Sequence, residues 1–569
     1  MARANDDAAA ALEEYADLFA MTGGDAFRVR SYQKAAKAIS GHPEDIATGD
    51  VRKVPGVGEA IAKKVEEFLQ RGSFRQLDDL RGRVPAGVRR MTRIPSLGPK
   101  KAIFLFTELG IDSPEALGEA IRAGRLTGIR GFGAKTEENL LKGIDQLEQS
   151  GARVHIGVAT DVAEKVIASL SGATERIAYA GSLRRMKDTV GDVDVLAVAG
   201  DPPALMESFR AQPYVAEVIA AGDKKTSIRT TAGLQVDLRV VPAESWGAAM
   251  QYFTGSKEHN VRIREMAVKK GWKLSEYGLF DGDRVIASRT EEEIYEALGM
   301  PWIPPTMRED GGEVAAALKG ELPVPVTLED LRGDLHTHTD LTDGIASLEE
   351  MVAAAAALGY SYYAITDHAP DLVMQRMTLE KALDQRERIA RLQDRYPGMR
   401  LLHGTELNIG PDGAVDWPEE VLAGFDVTVA SVHSHFTQSR AEMTARFIAA
   451  CDNPQVHIIG HPTTRKIGKR PQVDADWEAV FRRAAATGTV MEIDSYPDRS
   501  DLPADLVRLA RHLGVKFSID SDSHAIPHLA NQRYGVGIAQ RAWLTTDDVI
   551  NTWPLDRLLT YLGRGQDRV

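Results

Sequence analysis

Cysteine is nearly absent. The single one in 569 residues, Cys451, excludes a disulfide framework within the chain and fits a reducing compartment such as the cytosol. It follows Phe447-Ile448 in a helical pattern, where a packing role outweighs a nucleophilic one. Long apolar runs are missing too. None approaches the roughly 18–20 residues that cross a bilayer, so no membrane partner is expected. The opening Met1-Ala-Arg-Ala-Asn-Asp-Asp7 is acidic at once and lacks the order of a secretory leader, so a cytoplasmic protein is expected. Positive charge also falls short, with 69 Lys+Arg against 82 Asp+Glu and a net charge of −13. At first sight that argues against nucleic acid.

The distribution reverses the argument. Between residues 51 and 110 there are 13 Lys/Arg against 6 Asp/Glu, a local excess of +7, and 11 of the 14 histidines fall after residue 331. A basic front and a histidine-rich back suggest two chemistries. A content of 43% hydrophobic and 27% charged residues is that of a globular chain, and at about 150 residues per domain the length implies roughly three or four domains.

Residues 8–150 have the pattern of short helices punctuated by glycine. One unit recurs: Pro55-Gly56-Val-Gly58, Pro95-Ser-Leu-Gly98 and Arg130-Gly131-Phe-Gly133, each followed by a helix with lysine at Lys63 and Lys64, at Lys100 and Lys101, and at Lys135. Such turns mark helix–hairpin–helix modules, whose backbone N–H groups point at a phosphate and hold nucleic acid without reading bases. Strand-like runs follow at 177–180, 192–198 and 234–241, then a helix over about 257–270 and the connector Glu321-Leu-Pro-Val-Pro-Val326. Its prolines favour an extended, semi-rigid path. From Arg332 strands and helices alternate as in a parallel barrel, and seven strand candidates each stop at metal-ligand residue types.

Two constellations carry chemistry. In the first, Gly181-Ser182-Leu-Arg-Arg185 precedes Gly191-Asp192-Val-Asp194, and Asp237 lies on a later strand. Asp192 and Asp194 share one face of a strand, and three converging carboxylates call for a hard cation such as Mg²⁺. Two such ions can clamp an in-line phosphoryl transfer, with a triphosphate held by Gly181-Ser182 and Arg185. The second is His336, His338, Asp343, His368, Glu406, His433, His461, Asp522 and His524. Imidazole mixed with carboxylate suits Zn²⁺ or Mn²⁺, and nine candidates are about right for three ions at the C-terminal strand ends of a barrel. His403, His457, His512 and His528 are set aside as structural, and His435 stays ambiguous.

The segment Gly181–Leu196 resembles the nucleotide-binding signature of family X DNA polymerases, as do Tyr252-Phe253-Thr-Gly255-Ser256 and the following Asn260 and Arg264. The resemblance implies Mg²⁺ or Mn²⁺ on Asp192, Asp194 and Asp237, with Asp237 as base toward a primer 3′-hydroxyl. It implies β/γ-phosphate contacts from Ser182 and Arg185, a base-edge contact from Asn260 and a template contact from Arg264. Lys257 departs from the family, where the animal enzyme is acidic. By the same resemblance Lys64 would form a Schiff base with a 5′-deoxyribose phosphate, Arg28 and Tyr32 would hold its phosphate and sugar, and cationic Lys63 and Arg52 would favour the neutral amine. Another reading leaves Lys64 a phosphate contact, since the lysine one turn earlier in the animal enzyme is Ala60 here.

The order Asp334-Leu-His-Thr-His338, Thr342-Asp343-Gly, Asp367-His368, Glu406, Ser431-Val-His433, Gly460-His461-Pro and Ser521-Asp522-Ser-His524 resembles the polymerase and histidinol phosphatase (PHP) domain. That implies a distorted seven-stranded barrel with a trinuclear centre, and Arg465 is the candidate phosphate clamp.

The expected fold is a multidomain α/β chain. A lyase-type helix–hairpin–helix domain (1–80) and a second such domain (81–150) precede a nucleotidyltransferase palm with a mixed sheet (151–242) and a thumb (243–318). A linker (319–332) leads to a PHP domain (333–569). The expected function is filling short gaps in base excision repair on gapped or nicked duplex DNA with dNTPs, by a monomer near the nucleoid. The PHP domain would add 3′–5′ exonuclease and AP-endonuclease activity. A small-molecule phosphatase tethered to a DNA-binding module, and a repair scaffold with structural metals, are the rival readings.

Overall fold

The computed structural model describes residues 4–42, 46–47, 49–92, 94, 97–129, 131–149, 153–372 and 377–563. Pro95, Ser96 and Arg130 of the hairpin motifs, and the side chain of Lys135, lie outside the described residues.

The first part of the chain is helical, from Ala4–Met21 to Ala134–Gln149. Its apolar side chains form one hydrophobic cluster running from Ala8 to Ile144, so the two helical segments share a core. All three hairpins are built alike. The N–H groups of Val57, Leu97 and Phe132 donate to the carbonyls of Val54, Ile94 and Ile129, and the carbonyls of Gly58, Gly98 and Gly133 then accept the first bonds of the next helix.

The palm is a five-stranded mixed sheet in the order Arg176–Tyr179, Asp192–Val198, Gln235–Val240, Lys225–Thr230, Val215–Ala220. Only Asp192–Val198 and Gln235–Val240 run parallel. Their alternating Val and Leu bury Val193, Val195, Val236 and Leu238 under the helices Ile156–Leu170 and Pro202–Arg210. The thumb follows, with helices Trp246–Thr254 and Lys257–Lys269, a small three-stranded antiparallel sheet and helix Glu291–Leu298.

The barrel has seven parallel strands in chain order: Gly333–Asp334, Tyr362–Ile365, Arg400–Asn408, Val427–Ser431, Ile458–Ile459, Val490–Asp494 and Phe517–Asp520. A parallel bridge between Thr337 and Ser523 joins the first and last just past their ends. Each expected strand is present. The connector is anchored as well. The Val326 N–H donates to the Leu544 carbonyl and its own carbonyl accepts from Gln540 Nε2, so the segment is docked on the barrel before the strands begin.

Candidate active sites

In the palm, the register sets Asp194 directly beside Asp237, with Asp192 two residues earlier on the same face. Gly181 adopts φ 62°, and a Cβ there would come within 2.7 Å of Asp194 Oδ2, so the turn approaches that carboxylate as only glycine can. Burial, then the charges of Asp192 and Asp237, push the Asp194 carboxyl up to about 6. For Asp237, burial works upward, but Lys225 Nζ at 2.9 Å, with Gln235 and Ser227, holds it below the usual carboxylate range. Like charges raising a carboxyl mark a place where a divalent cation would restore ionisation. Mg²⁺ or Mn²⁺ therefore fits the donor set. Lys225 and the half-buried Arg239, 3.9 Å from Asp237 Oδ2, were not anticipated.

The turn that follows is built from the expected residues. Ser182 sits partly exposed in the short helix Gly181–Arg184. Arg185 Nε donates to Glu309 Oε1 at 2.9 Å and its Nη1 to the Thr254 carbonyl. Gly255, at φ 70°, leaves Arg185 Nη1 the space a Cβ would crowd at 3.2 Å. Gly191 lies against Arg153 in the same way, at 3.1 Å. Tyr252 and Phe253 pack edge to face, with Arg239 over the Phe253 ring. Asn260 is buried, donating to the Tyr252 carbonyl at 2.7 Å and accepting from Gln251. Arg264 lines a shallow groove of about 360 Å³ with Val261, Glu265 and Val268. Beneath them lies a network that sequence reasoning missed: Glu291 takes Arg184 at 2.7 Å and the fully buried Arg308 at 2.6 Å. Burial alone would raise Glu291, yet the two guanidiniums bring it down to about 2.

In the barrel all nine expected ligands converge. Glu406 is the hub: one oxygen lies 2.8 Å from His368 and 3.5 Å from both His336 and His338. The other lies 2.9 Å from His461 and 3.1 Å from His433. Asp522 Oδ1 is 3.2 Å from His338, and Asp343 Oδ2 is 3.2 Å from His524. Among the described residues, the groups gathering three or more ligand atoms within 4.8 Å all fall here. They are His338, Asp343, His368 and His524; then His336, His338 and Asp522; then His368, Glu406 and His433. His338 Nδ1 and Asp343 Oδ1 are buried without a hydrogen bond and lie 3.9 Å apart. Such orphaned acceptors fit shared cations, Mn²⁺ or Zn²⁺ by donor type. His461 at φ 26° and Asp522 at φ 48° hold strained backbone, as functional residues do.

The surroundings orient these ligands. Glu492 accepts from His336 Nδ1 at 2.6 Å and Asn408 from His433 Nδ1 at 2.7 Å, which turns each ring's Nε2 inward. Burial pushes the Glu492 carboxyl up to about 7, against the pull of His336. None of this was foreseen, because Glu492 sits mid-strand. Of the histidines set aside, His403 meets Arg386, His457 meets Thr428 and His512 meets the Arg508 carbonyl. The ambiguous His435 is exposed and bonded to Ser434.

Two expectations are corrected. Arg465 does not face the ligands: its guanidinium donates to the carbonyls of Arg499 and Ser500 and pairs with Asp188 of the palm at 3.0 Å. The guanidinium at the centre is Arg499, whose Nε lies 3.3 Å from Asp494 and 3.6 Å from Asp522. At Lys64, the cations meant to depress its basicity point elsewhere. Arg52 is taken by Glu66 at 2.8 Å and by Glu59 at 3.4 Å, and Lys63 by Glu59 at 3.5 Å. Instead Lys64 Nζ lies 5.7 Å from the Tyr32 ring centre and 6.0 Å from that of Tyr15. Arg28 is exposed above Phe19.

Gly56 and Gly131 take φ 82° and 92°, while a Cβ at Gly58, Gly98 or Gly133 would meet nothing within 4 Å. These glycines leave the hairpin backbone open to a partner, with Lys100 exposed beside the second. One contact joins the halves unexpectedly: Lys37 Nζ reaches Asp343 Oδ2 at 3.2 Å, and Gly41 packs on Ile345 and Ala525.

Comparison with known proteins gives matches in both the front and the back of the chain. Family models match as a helix-hairpin-helix domain over residues 3–74 and a SAM-like helix-hairpin-helix tandem over 88–146. Residues 249–309 match the DNA polymerase beta thumb and 334–493 the PHP domain. The DNA polymerase/3′-5′ exonuclease PolX of Bacillus subtilis is 34% identical over 562 residues, 97% of this chain and 98% of its own. DNA polymerase lambda of Rattus norvegicus is 26% identical over 319 residues, 50% of this chain and 53% of its own. A probable phosphatase of Syntrophotalea carbinolica is 31% identical over 241 residues, 40% of this chain and 95% of its own.

Proposed function

The chain belongs to the bacterial family X DNA polymerases that carry a C-terminal PHP domain, and on that premise we propose that it fills short gaps in duplex DNA and trims DNA 3′-ends. The observation that carries the polymerase half is the in-register pairing of Asp194 with Asp237 against the Gly181 turn. Neither a tethered phosphatase nor a scaffold needs that pocket.

Asp192, Asp194 and Asp237 would hold two Mg²⁺ or Mn²⁺ ions, which supply charge to the phosphoryl group in flight. Ser182 and Arg185 hold the β- and γ-phosphates, Gly255 keeps the backbone clear of Arg185, and Tyr252 and Phe253 form the wall of the nucleotide cradle. The hairpins at Gly56/Gly58, Gly98 and Gly131/Gly133 grip the DNA backbone on either side of the gap. Asn260 and Arg264 face the base pair and the template. Substrates are gapped or nicked duplex and dNTPs, and the chain acts as a cytoplasmic, nucleoid-associated monomer. The decisive test is extension on a gapped, 5′-phosphorylated duplex. Asp194→Asn should lower it by roughly 10³-fold while leaving DNA binding intact. Unchanged extension would remove the assignment.

In the barrel, the nine ligands would hold Mn²⁺ or Zn²⁺, most simply three ions, which supply Lewis-acid charge to a terminal phosphodiester. Glu492 and Asn408 keep His336 and His433 in the tautomer that presents Nε2. Arg499, in place of Arg465, pairs with the phosphodiester's non-bridging oxygens. The same centre would serve abasic sites.

Lys64 is the lyase nucleophile of this reading, approached across Tyr15 and Tyr32. Borohydride should trap the chain on an incised abasic duplex, and Lys64→Ala should remove most of that product. Equal trapping by the variant would move the activity to another amine.

A further inference from the structure

The helix Gln532–Arg541 follows the last barrel strand and packs Val536, Ile538 and Ala539 into the barrel core, yet other side chains on it reach the palm. Tyr534 is buried in the palm's own hydrophobic cluster beside Leu183 and Val190. A Cβ on Gly537 would come within 2.7 Å of Met186. Arg533 pairs with Glu164 at 2.9 Å. At the end of the helix, Arg541 Nη1 donates to Glu309 Oε1 at 2.8 Å and to the Arg185 carbonyl at 3.1 Å. The same Glu309 oxygen accepts from Arg185 Nε at 2.9 Å.

We propose that Arg541, a residue of the nuclease domain, is a positioning residue for the polymerase reaction, acting through Glu309 on Arg185. The inference rests on the reading of Arg185 as a triphosphate contact. A carboxylate alone beside Arg185 would neutralise it and compete with the incoming anion. With two guanidiniums on one oxygen the set keeps a net positive charge, and Arg185 stays available to the triphosphate while its backbone and Nε are fixed. Removing Arg541 leaves a closed Arg185–Glu309 pair and a loosened turn. Ground-state binding of dNTP should suffer more than the chemical step.

Steady-state gap filling in Mg²⁺ by the full-length chain tests this. Arg541→Met should raise KM for dNTP roughly tenfold with kcat within about twofold. Arg541→Lys should recover part of the loss, and if the methionine variant does not fold, an intermediate rise in the lysine variant serves as the same evidence. Arg533→Met, which breaks a different palm–barrel pair, should leave KM near wild type. The inference is overturned if both Arg541 variants keep wild-type KM, or if Arg533→Met raises it as much, since a general loosening of the interface would then explain it. Arg185→Met, measured alongside, separates the two levels. If it leaves KM for dNTP unchanged, the triphosphate reading itself fails. If it raises KM while Arg541→Met does not, only the role of Arg541 fails.

Discussion

Arg465 and Arg499 differ in what already holds them. Arg465 is held through Nε and Nη2 by two carbonyls and by Asp188, so its charge ties the barrel to the palm. Arg499 is nearly buried, faces two acids at 3.3 and 3.6 Å, and has no side-chain hydrogen bond among the described residues. A buried guanidinium with donors to spare beside the proposed metal ligands is a ready acceptor of anionic charge. Arg499→Met should therefore slow 3′-end degradation by roughly 10²-fold, whereas Arg465→Met should change it little. The check is product length on a labelled 3′-end with Mn²⁺ present. Equal losses in the two variants would show a structural origin for both. The sequence offered no means of choosing between them. Arg465 stands near His461 along the chain, while Arg499 reaches the centre only because the loop after Val490–Asp494 folds back over it.

At the scale of elements, the hairpins behave as three copies of one device. Gly58 and Gly98 sit at φ −79° and −68° with extended ψ, which any residue can adopt, and neither touches the rest of the protein through a Cβ. Folding does not require glycine at these caps, so another demand must: close approach of a phosphate to the backbone N–H groups. Gly58→Val and Gly98→Val should each weaken gapped-duplex binding about tenfold while leaving the unfolding temperature nearly unchanged. Titration of a labelled duplex beside a thermal melt decides it, and a fall in melting temperature that accounts for the lost binding would refute the argument. Elements of this kind were legible because each is local. A turn and its helix cap lie within a few residues, and every expected barrel ligand except Asp343 lies within a few residues of its strand end. Glu492 was not legible, since its bond to His336 exists only after the sheet has closed on itself. Nor was the seat of the connector on Leu544, because prolines specify an extended path and not what the path lies against.

For the whole molecule, that seat changes what independence between the two centres means. A semi-rigid linker alone would let palm and barrel act apart. Instead the barrel packs Tyr534 into the palm core and holds Glu164, Glu309 and Asp188 through Arg533, Arg541 and Arg465. All of these contacts lie on side chains other than the proposed metal ligands. Apart from Asp343, which pairs with Lys37 of the front helices at 3.2 Å, removing the expected ligands should therefore silence one chemistry without moving the other. His336→Ala with His338→Ala should eliminate 3′-end degradation and leave gap filling within about threefold of wild type, since no palm contact is lost. Asp192→Asn should do the reverse, because Asp192 is exposed at the start of its palm strand and, among the described residues, makes no hydrogen bond or ion pair with the barrel. Both activities are read on one labelled gapped duplex, resolved by product length with and without dNTPs. The pair of buried histidines also fixes Glu406 and Glu492 in place, so a thermal melt of the double variant must accompany the assay. Degradation that persists in the histidine variant and vanishes with Asp192→Asn would place the nuclease in the palm, and the barrel would then be a metal-stiffened support for the polymerase.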